Sequence, residues 1–342
     1  MQTLEPERRE RPAIRHVSRA PTRLRRFLRH PQGVAGLGLV LVFLLAAIFA
    51  PVLAPPKDAC ARELGLEGAQ SISLSNIGLF NSSFWQAMFL PPAVCFEIPR
   101  SSFADTPTPP FQNGHLLGTV KGYDILYGLI WGSRTAFLLG LSIIGCTFMV
   151  GLSVGLVAGY FGGWIDDLLM RLTEIVFSLP SLVLMIVLVT IFGPGLVNVA
   201  ISIILVGWAG YARLIRGEVL RVRNLEYVEG ARALGASDAR IIVRHVLPNS
   251  LTTLTVQVAL DFGSVVLIAA GLSFIGLGAP VGFADWGQLI NFSQAYIIGP
   301  PDAPLAFWFV SFFPGLTILL WGLGWNLMGD ALTDVLNPRA TK

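Results

Sequence analysis

The sequence predicts an all-α integral membrane protein with six transmembrane helices, on three observations. Hydrophobic residues make up 54% of the chain and charged residues only 13%, a balance far from that of soluble domains. Six apolar stretches approach the roughly 20 residues that a helix needs to cross a hydrocarbon core of about 30 Å. Basic residues are concentrated in alternate connecting segments, as the retention of Lys and Arg on the cytoplasmic side requires.

The first span, Gly33 to Ala54, carries no charge and runs into Pro51, Pro55 and Pro56, which stop a helix. Nine Arg precede it in residues 1–32, a pattern shared with signal peptides. Its length exceeds a signal-peptide core, so an uncleaved span is expected. The second span is Thr135 to Tyr160, also uncharged, and the third Leu168 to Phe192. The fourth is Leu196 to Ile215, the fifth Leu251 to Leu277 and the sixth Leu305 to Met328. Residues 212–250 carry seven Arg, whereas 278–304 carry no Lys or Arg. This places 1–32, 212–250 and the tail 329–342 in the cytoplasm, with 55–134, 193–195 and 278–304 outside, and both termini inside. The helical core then covers 135–328. The net charge of +3 follows from topology and contact with the lipid bilayer; nothing in the sequence points to nucleic acid.

The external segment 55–134 has turn-rich ends, including Thr106 to Pro110. Its apolar stretch Phe84 to Phe96 is too short to span and is broken by Pro91 and Pro92, which leaves a small cap or a loosely ordered insertion as the two readings. Cys60 and Cys95 both lie in this segment as a candidate disulfide. Spacing supplies no distance between them, so bonded and free states both stay open. Cys146, in span two, is expected to be a small packing residue.

The charged segment Glu229 to Pro248 needs a reason to exist between two long apolar stretches. Asn224 can cap a short helix in which Tyr227, Ala231 and Leu234 share a face. Gly235 then ends it, since glycine tolerates the left-handed conformation of a helix stop. Ser237 and Asp238 start a second helix carrying Ile241, Ile242 and Val246. Pro248 closes the unit, and Asn249 and Ser250 can cap span five at once, so force on the pair passes almost directly into a membrane helix. A solvated amphipathic connector is the bland alternative, but the small residues Gly230, Ala231 and Ala233 favour close docking against a protein.

Within the spans, Asp261 lies near the middle of span five among Val258, Leu260 and Val265. A carboxylate at the bilayer centre costs about 2.5 to 3.5 kcal/mol on insertion scales. Two roles are open: lining a polar pathway, or hydrogen-bonding a neighbouring helix. Arg171 and Glu174 are three apart and expected to pair. Gly271, Gly276 and Gly278 are expected to permit close helix packing.

The segment Glu229-Gly230-Ala231, Gly235 and His245-Val246-Leu247-Pro248 resembles the cytoplasmic loop by which permeases of ABC importers engage their ATPases. That signature reads Glu-Ala-Ala, three residues, Gly, nine residues, then Ile-x-Leu-Pro. Gly230 and His245 depart from it, although His at that position is common among the peptide and nickel permeases that the chain most resembles. Phe49 to Pro55, Met170 to Ile175, Phe192 to Asn198, Gly207 to Arg213, Leu272 to Gly278, Trp325 to Asp330 and Asn337 to Arg339 are similar to the same family. The resemblance covers most of the chain outside about 1–22 and 56–114. One stretch is altered: after His115 to Thr119 the family continues Asp, two residues, Gly-Arg-Asp, where this chain has Val120-Lys-Gly-Tyr-Asp124.

The resemblance implies a type I ABC importer permease fold and no enzyme activity in this chain. It implies a second, homologous permease subunit, two ATPase subunits carrying ATP and Mg, and an extracytoplasmic substrate-binding protein, in a bacterial or archaeal inner membrane. It implies ATPase coupling through Tyr227, Glu229, Gly230, Ala231, Leu234, Gly235, Ala236, Ser237, Leu247 and Pro248. Peptides are the first cargo it suggests, with nickel complexes or oligosaccharides as alternatives. The chain's lysines, Lys57, Lys121 and Lys342, make no phosphate-binding loop, so ATP hydrolysis is expected on a partner. No cofactor, metal motif or serine-hydrolase elbow is read in this chain. A self-contained secondary transporter, which would be expected to show internal repeats, is the competing class.

Overall fold

The computed structural model describes residues 27–28, 30–55, 58–63, 91–101 and 106–336. Helices dominate it. α1 is Pro31–Ile48, followed by a one-turn α2, Ala50–Leu53, and by α3, Asp58–Glu63. After a 3-10 turn at Ala93–Phe96 comes a two-residue hairpin, β1 Thr119–Val120 against β2 Tyr123–Asp124. Lys121 (φ 51°) and Gly122 (φ 80°) make its turn, the doubly left-handed geometry that tight hairpins use.

α4, Ile125–Phe161, begins ten residues before the expected span. Asp124 caps it by accepting from Tyr127 N at 3.0 Å, so the helix starts outside the apolar run from which its length was read. Span three is two helices, α5 Gly163–Phe177 and α6 Ser181–Phe192, bent by 85° at the break. Pro180 holds the N-cap position of α6 in an extended conformation, and proline biases the residue before it away from helix. Hydropathy reads an apolar run as straight and does not register such a corner. α7 is Leu196–Arg223, α8 Glu226–Ala233, α9 Asp238–Ile241, α10 Leu247–Phe274, α11 Trp286–Ser293 and α12 Trp308–Leu336.

α4 and α7 form the most extensive helix pair. Gly151, Gly155 and Gly159 recur every fourth residue along α4, and a Cβ on Gly159 would come within 2.9 Å of Val219 Cβ. Small residues at this spacing let two backbones approach closely in lipid. The glycines singled out from sequence behave differently: Gly271 has open space beside it, and Gly276 (φ 91°) ends α10. Gly278 alone of those three meets a close neighbour, Ser273. Cys146 is exposed on the surface of α4 rather than packed. Arg171 and Glu174 do not pair; the ion pair of this region joins Arg216 to Asp166 instead. α10 and α12 run antiparallel, with Phe262 stacked on Trp325 at 4.3 Å and Leu260 against Gly329.

The two ends of the helical body differ. At one end Phe27 packs with Ala331 and Val335, and His30 Nε2 lies 3.1 Å from Asp334, so both ends of the described chain meet at the end of the bundle where the antiparallel α10 begins. We call this the basic end. At the other, a cap buries Cys60, Cys95, Phe96, Ile98, Tyr127, Trp131 and Leu289 in one cluster. Cys60 and Cys95 are disulfide-bonded, with Cα atoms 4.7 Å apart. Tyr127 donates to Cys95 O and Trp131 Nε1 to Ala54 O, each at 3.0 Å. Ile98 N donates to Gly282 O at 2.7 Å and Ala284 N to Phe96 O at 2.6 Å. Residues 91–101 are thereby a packed part of the cap, while the neighbouring 84–90 lie outside the described residues.

Candidate functional site

The unit at the basic end begins where α7 stops. Asn224 closes α7 rather than opening α8, and Leu225 takes the N-cap position without a side-chain cap. The link is so short that Leu225 N donates to Val222 O (3.1 Å) while Leu225 O already accepts from Val228 N (2.8 Å). α8 then ends as the sequence suggests. Gly235 has φ 79°, Gly235 N donates to Arg232 O (3.0 Å) and Ala236 N to Ala231 O (3.1 Å). This pair of bonds around a left-handed residue satisfies the last carbonyls of the helix.

Ser237, extended at φ −67° and ψ 152°, precedes α9 without a side-chain cap of its own. Asp238 accepts from the Tyr160 hydroxyl at 2.5 Å, which ties α9 to the end of α4. From α9 the chain stays helical through a π-helical turn, Ile242–Val246, directly into α10. Asn249 and Ser250 do not cap a new helix. Asn249 Nδ2 donates to His245 O (2.6 Å) and Ser250 Oγ to Val246 O (3.0 Å). Pro248 has no N–H to offer the preceding turn, and these side chains answer two carbonyls beside it. Leu247 and Pro248 form the first turn of a helix that has already started.

Val228, Ile241 and Val246 are fully buried with Ile215, Val219 and Leu254. These three residues seat the unit on the bundle. The face carrying Tyr227, Ala231 and Leu234 is turned outward: Tyr227 is 45% exposed and Leu234 90%, with Glu229 and Gly230 exposed beside them. Gly230 meets nothing within 4 Å, so its small size relieves no clash inside this chain. The rings of Tyr227 and His245 lie 6.1 Å apart, which brings one of the two departures from the family signature, His245, beside the exposed face of α8. Glu226 and Glu229 occupy the first turn of α8 and Arg232 the last, the arrangement that complements the helix dipole.

The platform beneath is fixed by arginines. Arg216 forks onto Asp166, with Nε–Oδ1 at 2.5 Å and Nη2–Oδ2 at 2.6 Å, joining α7 to α5. Arg223 Nη1 donates to the carbonyls of Gly159 (2.7 Å) and Tyr160 (2.9 Å), and Arg213 lies 4.3 Å over the Phe177 ring. None of these partners is evident from spacing, because each joins residues distant in sequence.

A second candidate lies in the bundle. Asp261, about midway along α10, opens onto a cavity of about 370 Å³ between α4, α6, α7 and α10. Gln257 Nε2 donates to its Oδ1 at 2.9 Å, a bond within its own helix. Thr147, Tyr211 and Ser264 share the cavity. Sequence reasoning missed Thr147 and Tyr211, which look like ordinary interfacial residues until the helices are assembled.

The chain matches the family model described as binding-protein-dependent transport system inner membrane component over residues 151–342. It also matches the N-terminal TM domain of oligopeptide transport permease C over residues 22–70. It is 38% identical over 244 residues to the dipeptide transport system permease protein of Alkalihalophilus pseudofirmus, covering 70% of this chain and 78% of that protein. It is 40% identical over 260 residues to the di/tripeptide transport system permease protein of Pseudomonas aeruginosa, covering 74% and 83%. The glutathione transport system permease protein of Pectobacterium atrosepticum is 36% identical over 229 residues, covering 67% and 74%.

Proposed function

As the chain belongs to the family of binding-protein-dependent transport system inner membrane components, we propose that it is one of two permease subunits of an ATP-driven importer of di- and oligopeptides. The peptide reading is supported by its relatives, which include dipeptide and di/tripeptide permeases. In this reading the basic end, with both termini, faces the cytoplasm, and the cap faces an extracytoplasmic binding protein. Two ATPase subunits, carrying ATP and Mg, dock on the Tyr227, Glu229, Gly230, Ala231 and Leu234 surface, with Gly235, Ala236 and Ser237 forming the stop behind it.

One observation carries the coupling role: an apolar face exposed at Tyr227 and Leu234 sits on a unit that stays helical into a membrane-crossing helix. Tyr227 and Leu234 exposed on one face of a short helix suit insertion into a partner groove better than a solvated connector. When the ATPases close, the displacement enters α10 through the π turn, at the first residues of that helix, Leu247 and Pro248. The two permeases then alternate between inward and outward openings of the path between them.

Purification from the native membrane tests this. The expected result is co-elution with ATPase subunits and a second permease, with ATPase retention lowered about tenfold by Leu234→Ser, the scale of an interface hot spot. A chain that elutes without any ATPase subunit overturns the importer reading.

A further inference from the structure

We propose that Asp261, Tyr211 and Thr147 form a binding site within the bilayer for the terminal ammonium group of the transported peptide, an inference that rests on the peptide-importer reading. Asp261 makes no ion pair with Lys, Arg or His among the described residues. Its side-chain partners there, Gln257 at 2.9 Å and the Tyr211 hydroxyl, are both neutral, which leaves the carboxylate's charge unbalanced. The Thr147 and Tyr211 side chains line the same cavity. Both residues are more than nine-tenths buried; the Thr147 hydroxyl has no hydrogen-bond partner, and the Tyr211 hydroxyl faces the Asp261 carboxylate. Buried polar groups without partners are rare enough to require a reason.

The chemistry of these groups selects the ligand. An ammonium offers three N–H donors and no acceptor, and the site offers a carboxylate and two hydroxyl oxygens able to accept. No group of three or more His, Cys, Asp or Glu that could hold a metal ion occurs among the described residues. The volume, about 370 Å³, falls at the lower end of small-molecule pockets. Met185, Ile203 and Ile268 supply apolar wall beside the polar group, which suits the side chain of a peptide's first residue. The site asks for a charged end and tolerates variation beyond it, as a carrier of many sequences requires.

The test uses the complete importer, with both permeases, ATPases and binding protein, reconstituted in liposomes and supplied with a radiolabelled dipeptide. The readout is dipeptide moved per ATP hydrolysed. D261N is expected to lower that ratio about tenfold or more, since it removes one member of a buried charge pair, while binding-protein-stimulated ATP hydrolysis stays near wild type. D261E restores a substantial part of the ratio, and Y211F lowers it severalfold. Equal loss of uptake and ATPase in D261N, with no rescue by D261E, means a structural role and overturns the proposal. Wild-type transport by D261N overturns it alone and leaves the importer standing. A wild-type complex that hydrolyses ATP but moves no dipeptide overturns the substrate reading and this inference together.

Discussion

Asp285 is a buried carboxylate whose surroundings alter its chemistry. It lies in the segment between α10 and α12, caps α11 by accepting from Gln288 N at 3.0 Å, and is only 6% exposed. Burial pushes its carboxyl up from the ordinary 3.8 to about 6, against the backbone N–H groups of Gln288 and Gly287, which favour the charged form. Between these values the folded chain holds a proton that the unfolded chain has lost. The contribution to stability is therefore full below pH 4 and is lost as pH rises through about 6, on the order of 2–3 kcal/mol. Asp285→Asn keeps a good N-cap acceptor and cannot ionise. Thermal melting of the purified chain at pH 5 and pH 8 should show a smaller pH difference in the variant, with its gain at pH 8; an unchanged difference would rule out Asp285 as the source.

Among the elements, the unit from α8 to α10 depends on one backbone geometry. Gly235 at φ 79° lies where a side chain costs about 1–2 kcal/mol and a β-branched one more. Gly235→Val should leave the chain inserted and the bundle folded, because no core residue is touched. It should release the ATPases or uncouple transport from hydrolysis, as read by co-purification and uptake; full association with normal uptake would refute it. This stop was legible in the sequence because glycine at a helix end has a local physical reason. The outward-facing surface was legible from the spacing of Tyr227, Ala231 and Leu234. What was illegible is relational. Asn224 looked like a cap because its type suits one, yet the position went to Leu225. The 85° corner between α5 and α6 hid inside an apolar run, and the Arg216–Asp166 fork joins partners with no periodic signal. Asp261 could be flagged from its cost in a membrane, but the two hydroxyls facing its cavity emerged only with the helices assembled.

At the scale of the molecule, the cap and the bundle share one packed cluster, so the described residues 91–101 are part of the fold rather than an attachment to it. The Cys60–Cys95 bond closes a separation of 35 residues, and such a loop closure restrains the unfolded chain by roughly 3–4 kcal/mol. Cys60→Ser is expected to speed proteolysis near residues 91–101 while leaving membrane insertion intact; cleavage as slow as in the wild type would show that packing alone holds the cap. Across the membrane, α9, the π turn and α10 run without a break from Asp238 to Phe274, a path of about 55 Å at helical rise. Asp261 is carried on that path. Leverage follows: with no flexible joint to absorb a push, a tilt of about 5° at one end sweeps a point some 35 Å away by roughly 3 Å. A hydrogen bond does not survive a shift of that size. In the proposed importer, a small rotation imposed by the ATPases at α8 would thus be large enough to make or break the proposed grip on cargo midway along α10.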